Sequence, residues 1–242
     1  MRRAVSSTAM AEVTSAARNN AEWCDIVCRT HGIGGLFQAR FWASPTRTPP
    51  FYPDAVTLDP GATAETILRI VDVETPGCSV KDSFANLDLS RAGFRTLFES
   101  EWITRDPRRP VRAGGGAAWR RVLDSAALEA WEAAWSGEPA ATALFKPALL
   151  DDPAVSVLGG YVGDRLAAGA IVNRSRAVVG VSNVFTTIGD LGEAWSGCIA
   201  TVAREFPRLP TVGYESGEGL MAAHANGFSS IGHLRVWIKE DQ

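Results

Sequence analysis

The sequence predicts an α/β (α+β) chain folded as two units, and three observations carry that expectation. Short strand-like runs alternate with amphipathic helical stretches along most of the chain. A stretch dense in Arg, Pro and Gly, RDPRRPVRAGGGAA from Arg105, has no apolar period and interrupts the pattern near the middle. Residues 92–104 (AGFRTLFESEWIT) and 226–239 (NGFSSIGHLRVWIK) also echo each other: Gly-Phe, a polar pair, an aliphatic, then Trp-Ile near the end. The layout that follows is a flexible lead-in over 1–20, a first unit over 21–105, a linker over 106–116 and a second unit over 117–242.

The elements follow in order. Residues 12–31 carry Trp23, Ile26 and Val27 at helical spacing, and the HGIGG that follows ends a helix cheaply. GLFQARFWAS is a strand candidate, SPTRTPPFYPD a Pro-rich loop, and DAVTL a short strand. Trp42, Phe51 and Tyr52 read as exposed aromatics that wall a pocket or plug a seam, the plug being favoured. Asp59-Pro60-Gly61 turns the chain into a helix over ATAETILRIVDV. CSVKDSF is a strand, LDLSRAGF a turn ending in Gly-Phe, and FRTLFESEWIT a long strand.

Past the linker, RRVLDSAALEAWEAAW gives a short strand and a helix opened by Asp124 or Ser125, with Leu128, Trp131 and Trp135 on one stripe. PALLDDP is loop. VSVLGGYVGD and RLAAGAIVNRS form a hairpin across Gly163-Asp164. RAVVGVSNVFT is a strand whose near-continuous apolar run predicts burial on both faces. TIGDLG is loop, EAWSGCIATVAREF helix, PTVGYES strand, GLMAAHANG a short helix and FSSIGHLRVWIK the closing strand.

Composition narrows the function classes. The net charge is −3 with no long basic run, so nothing suggests a nucleic-acid footprint. The run of Arg105, Arg108, Arg109, Arg112, Arg120 and Arg121 reads as a solvated linker and helix start. The four cysteines are too scattered for a disulfide framework. Cys24, Cys28 and His31 lack the further pair a zinc site needs, so no metal is expected. No run reaches 18 apolar residues, and the start lacks a signal-peptide core, so the expectation is a cytoplasmic protein with no membrane partner.

The order of elements from Val155 to Lys239 resembles the acyl-CoA-binding half of the GNAT superfamily of N-acyltransferases. The resemblance covers most of residues 117–239 and, weakly, residues 22–104. It implies two GNAT-like units, the first reduced. Each would be a mixed, largely antiparallel twisted sheet flanked by helices. It also implies an acetyl-CoA or other acyl-CoA co-substrate, no metal, and a small-molecule or peptide amine as acceptor; a homodimer is left open. Members carry Gln or Arg, two variable residues, Gly, one variable residue, then Gly or Ala at the phosphate loop. Here Gly192 and Ala194 match and Gly189 departs, while Asp190 and Glu193 add negative charge beside an anion site. Main-chain groups of Gly189, Leu191, Gly192, Glu193 and Ala194 would then hold pyrophosphate at a helix start. Val184, Phe185 and Thr186 would pair with the pantetheine arm. The family's Gly-Phe step is similar to Gly227-Phe228, and the Tyr many members place four residues before that Gly is Ala223 here.

Three side chains stand as catalytic candidates. Glu215, near the end of its strand, is the favoured base, with Asp190 and Glu218 as rivals. Tyr214 is a substitute acid, and Asn183 a donor to substrate unless alternation turns Ser182 to the cleft instead. The loop from Asp59 to Ala62 in the first unit is expected to bind no cofactor. The missing Gln/Arg and Tyr keep a second reading open, a non-catalytic binding or regulatory module with a vestigial cleft.

Overall fold

The computed structural model describes residues 7–112, 116–137 and 143–240. The expected lead-in's residues 1–6 and the expected linker's residues 113–115 lie outside them. Contacts divide the chain into two units: one of residues up to Trp102 together with those from Ser230, the other of Ile103–Ser229.

In the first unit, helix α1 spans Ser7–Thr30. It starts before the expected point because residues 7–20 include Ala9, Ala11, Ala16 and Ala17, strong helix formers. Val13, Ala16, Ala17, Ala21, Cys24, Val27 and Cys28 are buried along it. The strand candidate after α1 is two strands, β1 (Leu36–Phe37) and β2 (Phe41–Ala43), paired antiparallel. β2 pairs antiparallel with β3 (Ala55–Thr57), and β3 pairs in parallel with β4 (Ser79–Asp82). Between them α2 covers only Ala64–Leu68, capped by Thr63. The strand β5 runs Phe94–Arg105, its first nine residues in this unit, and β11 (Ser229–Lys239) pairs antiparallel with β4. The core gathers Phe41, Ile67, Val80, Leu89, Phe94 and Trp237.

Trp42 and Tyr52 are not exposed: they are 0% and 8% accessible, and only Phe51 faces solvent. Trp42 donates its indole N–H to Asp25 (3.0 Å), and Tyr52 meets Trp23 edge-on at 6.1 Å. Both therefore plug the first unit itself.

The second unit opens with β6 (Ala118–Arg121) and α3 (Ser125–Ser136), which Asp124 caps by accepting from the Ala127 N–H. PALLD is a 3-10 turn rather than open loop. The hairpin β7 (Val155–Val162) and β8 (Arg165–Arg174) turns at Gly163-Asp164 as expected. Then come β9 (Val179–Thr186), α4 (Leu191–Glu205), β10 (Thr211–Glu215) and α5 (Gly217–Ala225). The strand order is β10-β9-β8-β7-β6, antiparallel except for parallel β10 and β9.

One face of this sheet carries α4 and α5, whose Trp195, Ile199, Val202 and Ala223 pack with Leu158, Val179, Val181 and Phe228. The other carries α3, where Trp131 donates to the Leu158 carbonyl and meets Phe145 and Phe185 edge-on. Glu132 in α3 is buried and accepts the N–H groups of Leu144 and Phe145, which fixes that segment.

Arg105 departs from the solvated reading. It is 2% accessible and bonds the carbonyls of Asn226, Asp106, Arg109 and Pro110. Arg108, Arg109 and Arg112 are exposed. All four cysteines are free and buried; burial pushes the thiols of Cys24 and Cys78 up to about 11 and that of Cys198 to about 12, which makes them inert. Among the described residues no helix is long and apolar enough to cross a membrane.

Candidate functional site at the parting of two parallel strands

The second unit's sheet opens between β9 and β10. The two pair only at Thr211↔Val179 and Val212↔Gly180. Beyond that, residues 181–186 of β9 have no strand partner on the β10 side among the described residues, and Gly213, Tyr214 and Glu215 lie past the last paired position of β10. A bulge in β9 accompanies the parting. Against β8, Ile171 faces Ser182 while Gly169 faces Phe185, so β9 carries an extra residue. Asn183 sits in that bulge with φ 54°, a left-handed conformation that Asn tolerates better than most residues. The extra residue returns Val184 to the α4 face and Phe185 to the α3 face, against Trp131 at 5.1 Å. The bulge also explains why the outer half of β9 is only half-buried where the sequence predicts burial on both faces.

The end of β9 is tied back onto β8. Thr187 N–H and Thr186 Oγ1 donate to the Ala167 carbonyl at 2.8 and 3.1 Å. The chain then turns through Gly189, with φ 89°, into α4. Asp190 is the N-cap, and its side chain accepts the Glu193 N–H at 3.2 Å. Asp-Leu-Gly-Glu is the spacing of a capping box, so this helix start carries its own anions. One oxygen of the Asp190 carboxylate lies against Gly192: a Cβ there would be 2.7 Å from Oδ1. A Cβ on Gly189 would be 3.7 Å from Glu193 Oε2. Two exposed carboxylates thus stand over the head of α4. Leu191 and Gly192 are half-buried in its first turn, Ala194 is buried beneath, and Asn226 Nδ2 holds the Gly192 carbonyl at 3.0 Å.

The catalytic candidates separate. Glu215 closes β10 with its carboxylate against the first turn of α5, where a Cβ on Gly219 would be 2.4 Å from Oε2. Burial pushes its carboxyl up to about 7, with no opposing charge or hydrogen bond to hold it down. Tyr214, one position earlier, faces the other side of the strand. Ser182 Oγ, on β9, is buried with no hydrogen-bond partner among the described residues. Ala223 is 0% accessible and packs in the α4–α5 core, so its position does not look into an opening. Glu218 is a first-turn acid of α5. Sequence reasoning missed Asn226, whose side chain ties the end of α5 to the Gly192 carbonyl of α4, and Arg105, which ties the Asn226 carbonyl to the segment after β5; the Asn-Gly-Phe step, with Gly227 at φ 89°, was the signal for Asn226.

No protein-family model matches the chain, and no curated protein matches it in sequence. Solved structures do match in shape. A GCN5-related N-acetyltransferase from Kribbella flavida superposes with a TM-score of 0.63 at 15% identity, over 94% of this chain and 96% of that one. A putative GNAT-family acetyltransferase from Novosphingobium aromaticivorans gives 0.55 at 14% identity, over 93% and 99%. A conserved protein of unknown function from Staphylococcus epidermidis gives 0.59 at 10%, over 86% and 93%.

The fold is that of the GNAT N-acetyltransferases.

At these identities the GNAT likeness shows the fold alone. GNAT proteins generally use an acyl-CoA, and this chain's residues fit one in part. The parted strands leave a main-chain edge on β9 for an extended arm to pair with. The head of α4 does not fit a pyrophosphate: Asp190 holds the Glu193 amide, and Asp190 and Glu193 set two carboxylates where the phosphates would lie.

Proposed function

We propose that the protein is a GNAT-type N-acyltransferase acting on a small-molecule or peptide amine, with Glu215 as the proton acceptor. One observation carries this: a half-buried carboxyl, pushed up by desolvation to about 7, ends the strand that borders the parting of the sheet. A base poised near neutrality has both a useful ionised fraction and the strength to take a proton from an amine. Glu215 would do so directly or through one water. Asn183 and Ser182 line the opposite strand, where the Ser182 hydroxyl has a hydrogen bond to give. We infer that the two units are repeats, since each pairs a parallel strand couple over two positions and then passes a positive-φ Gly into a buried Phe at which a long strand begins.

The test is thiol release from an acetyl thioester with a panel of primary amines. Wild type is expected to turn over at least one amine, faster as pH rises through about 7, and Glu215→Gln to lose about 10²-fold or more. Absence of thiol release, or an unaltered rate in Glu215→Gln, removes the proposal. The second reading, a non-catalytic module, would then hold; the self-capped head of α4 and the buried Ala223 favour it.

A further inference from the structure

We propose that this chain takes an acyl thioester by its pantetheine arm alone, and that the head of α4 repels the pyrophosphate of coenzyme A. The inference rests on the acyltransferase reading and narrows its donor to thioesters without a diphosphate at that point. A helix start holds phosphate through N–H groups that lack partners and through its positive dipole end. Here the Glu193 N–H is engaged twice, by the Asp190 carbonyl at 3.1 Å and the Asp190 carboxylate at 3.2 Å. The carboxylate lies against Gly192, the face along which a phosphate would approach, and Glu193 brings a second charge over Gly189. The dipole that would attract a phosphate is already matched by these two anions. Neither carboxylate is neutralised by a contact ion pair: the residue before Asp190 is Gly189, and none of the ion pairs among the described residues involves Asp190 or Glu193. The arm-binding half of the opening is kept, as the bulge at Asn183 and the two-position pairing of β9 with β10 show. One half of a coenzyme A site is thus built while the other carries the wrong sign.

Titration calorimetry with pantetheine and with coenzyme A, on the full chain, separates the outcomes. Asp190→Asn together with Glu193→Gln removes both charges and keeps a good N-cap, so the helix start survives. Wild type is expected to bind the two ligands within about threefold of each other, and the double variant to bind coenzyme A about tenfold tighter with pantetheine unchanged. A wild-type preference for coenzyme A of about tenfold or more, or a double variant with unaltered coenzyme A affinity, overturns this inference and leaves the acyltransferase reading standing. Failure of both ligands to bind either protein overturns both.

Discussion

Burial raises the Glu215 carboxyl from its ordinary 4.5 to about 7, and this has a cost in stability. In that window the folded chain holds a proton that the unfolded chain has already released. Stability therefore falls as pH climbs from about 4.5 to about 7, then levels off. Glu215→Gln cannot ionise, so its stability lacks that fall. The urea midpoint of the variant should match wild type at pH ~4 and exceed it at pH ~8. Equal midpoints at both would show that the carboxyl is not held up by its surroundings. The same variant is expected to lose turnover, so a gain in stability and a loss of chemistry in one change would mark Glu215 as a site residue rather than a packing one. Arg105 is the contrasting case. It is a buried charge whose four carbonyl partners are all main-chain, and its work is to fix the chain between β5 and α5.

The parting of β9 from β10 is a property of two elements rather than of any side chain. Gly213 marks the place: a Cβ there would sit 2.8 Å from the Val181 carbonyl oxygen, a main-chain atom that cannot swing aside. Gly213→Ala should push β10 off β9 one step sooner and cost ~1–3 kcal/mol, read as a lower urea midpoint. A midpoint within error of wild type would mean that the strands part without needing close approach at that step. Legibility in the sequence follows the same division. The hairpin at Gly163-Asp164 and helices α3 and α4 were legible because turn chemistry and helical period are local. The brevity of α2 was not: Ile67 is buried but Ile70 and Val73 pack from outside any helix, and an apolar count cannot tell the two apart. Tyr52 reads as exposed because Pro-rich loops usually are, and Trp42 is grouped with it, whereas long-range partners Trp23 and Asp25 hold them inside. At the candidate site, sequence showed Asp190 and Glu193 as charges. It did not show that their spacing caps α4, although Asp-Leu-Gly-Glu contains that information.

At the scale of the whole chain the two units share local features. In the first unit β3 and β4 pair in parallel at Ala55↔Val80 and Val56↔Lys81; in the second, β9 and β10 do so at two positions. Gly93 (φ 76°) precedes Phe94 as Gly227 (φ 89°) precedes Phe228, and both Phe rings are 4% accessible. The difference lies between the paired strands: a five-residue helix in the first unit, a fifteen-residue one in the second. Only the longer offers a helix head with a substantial dipole. Membership of the units also departs from chain order. From Ser230, β11 belongs to the first unit, where it pairs with β4 from Arg235↔Asp82 to Ile238↔Ser79 and puts Trp237 into that core. A cavity made at Trp237 should therefore be felt near residue 80 rather than in the strands that immediately precede β11. Trp237→Ala is expected to cost ~3–5 kcal/mol. Amide exchange should then lose protection at Val56 and Val80 while Leu158 and Ile171, in β7 and β8, keep theirs. Loss confined to β7 and β8 would instead show that the closing strand serves the unit from which the chain delivers it.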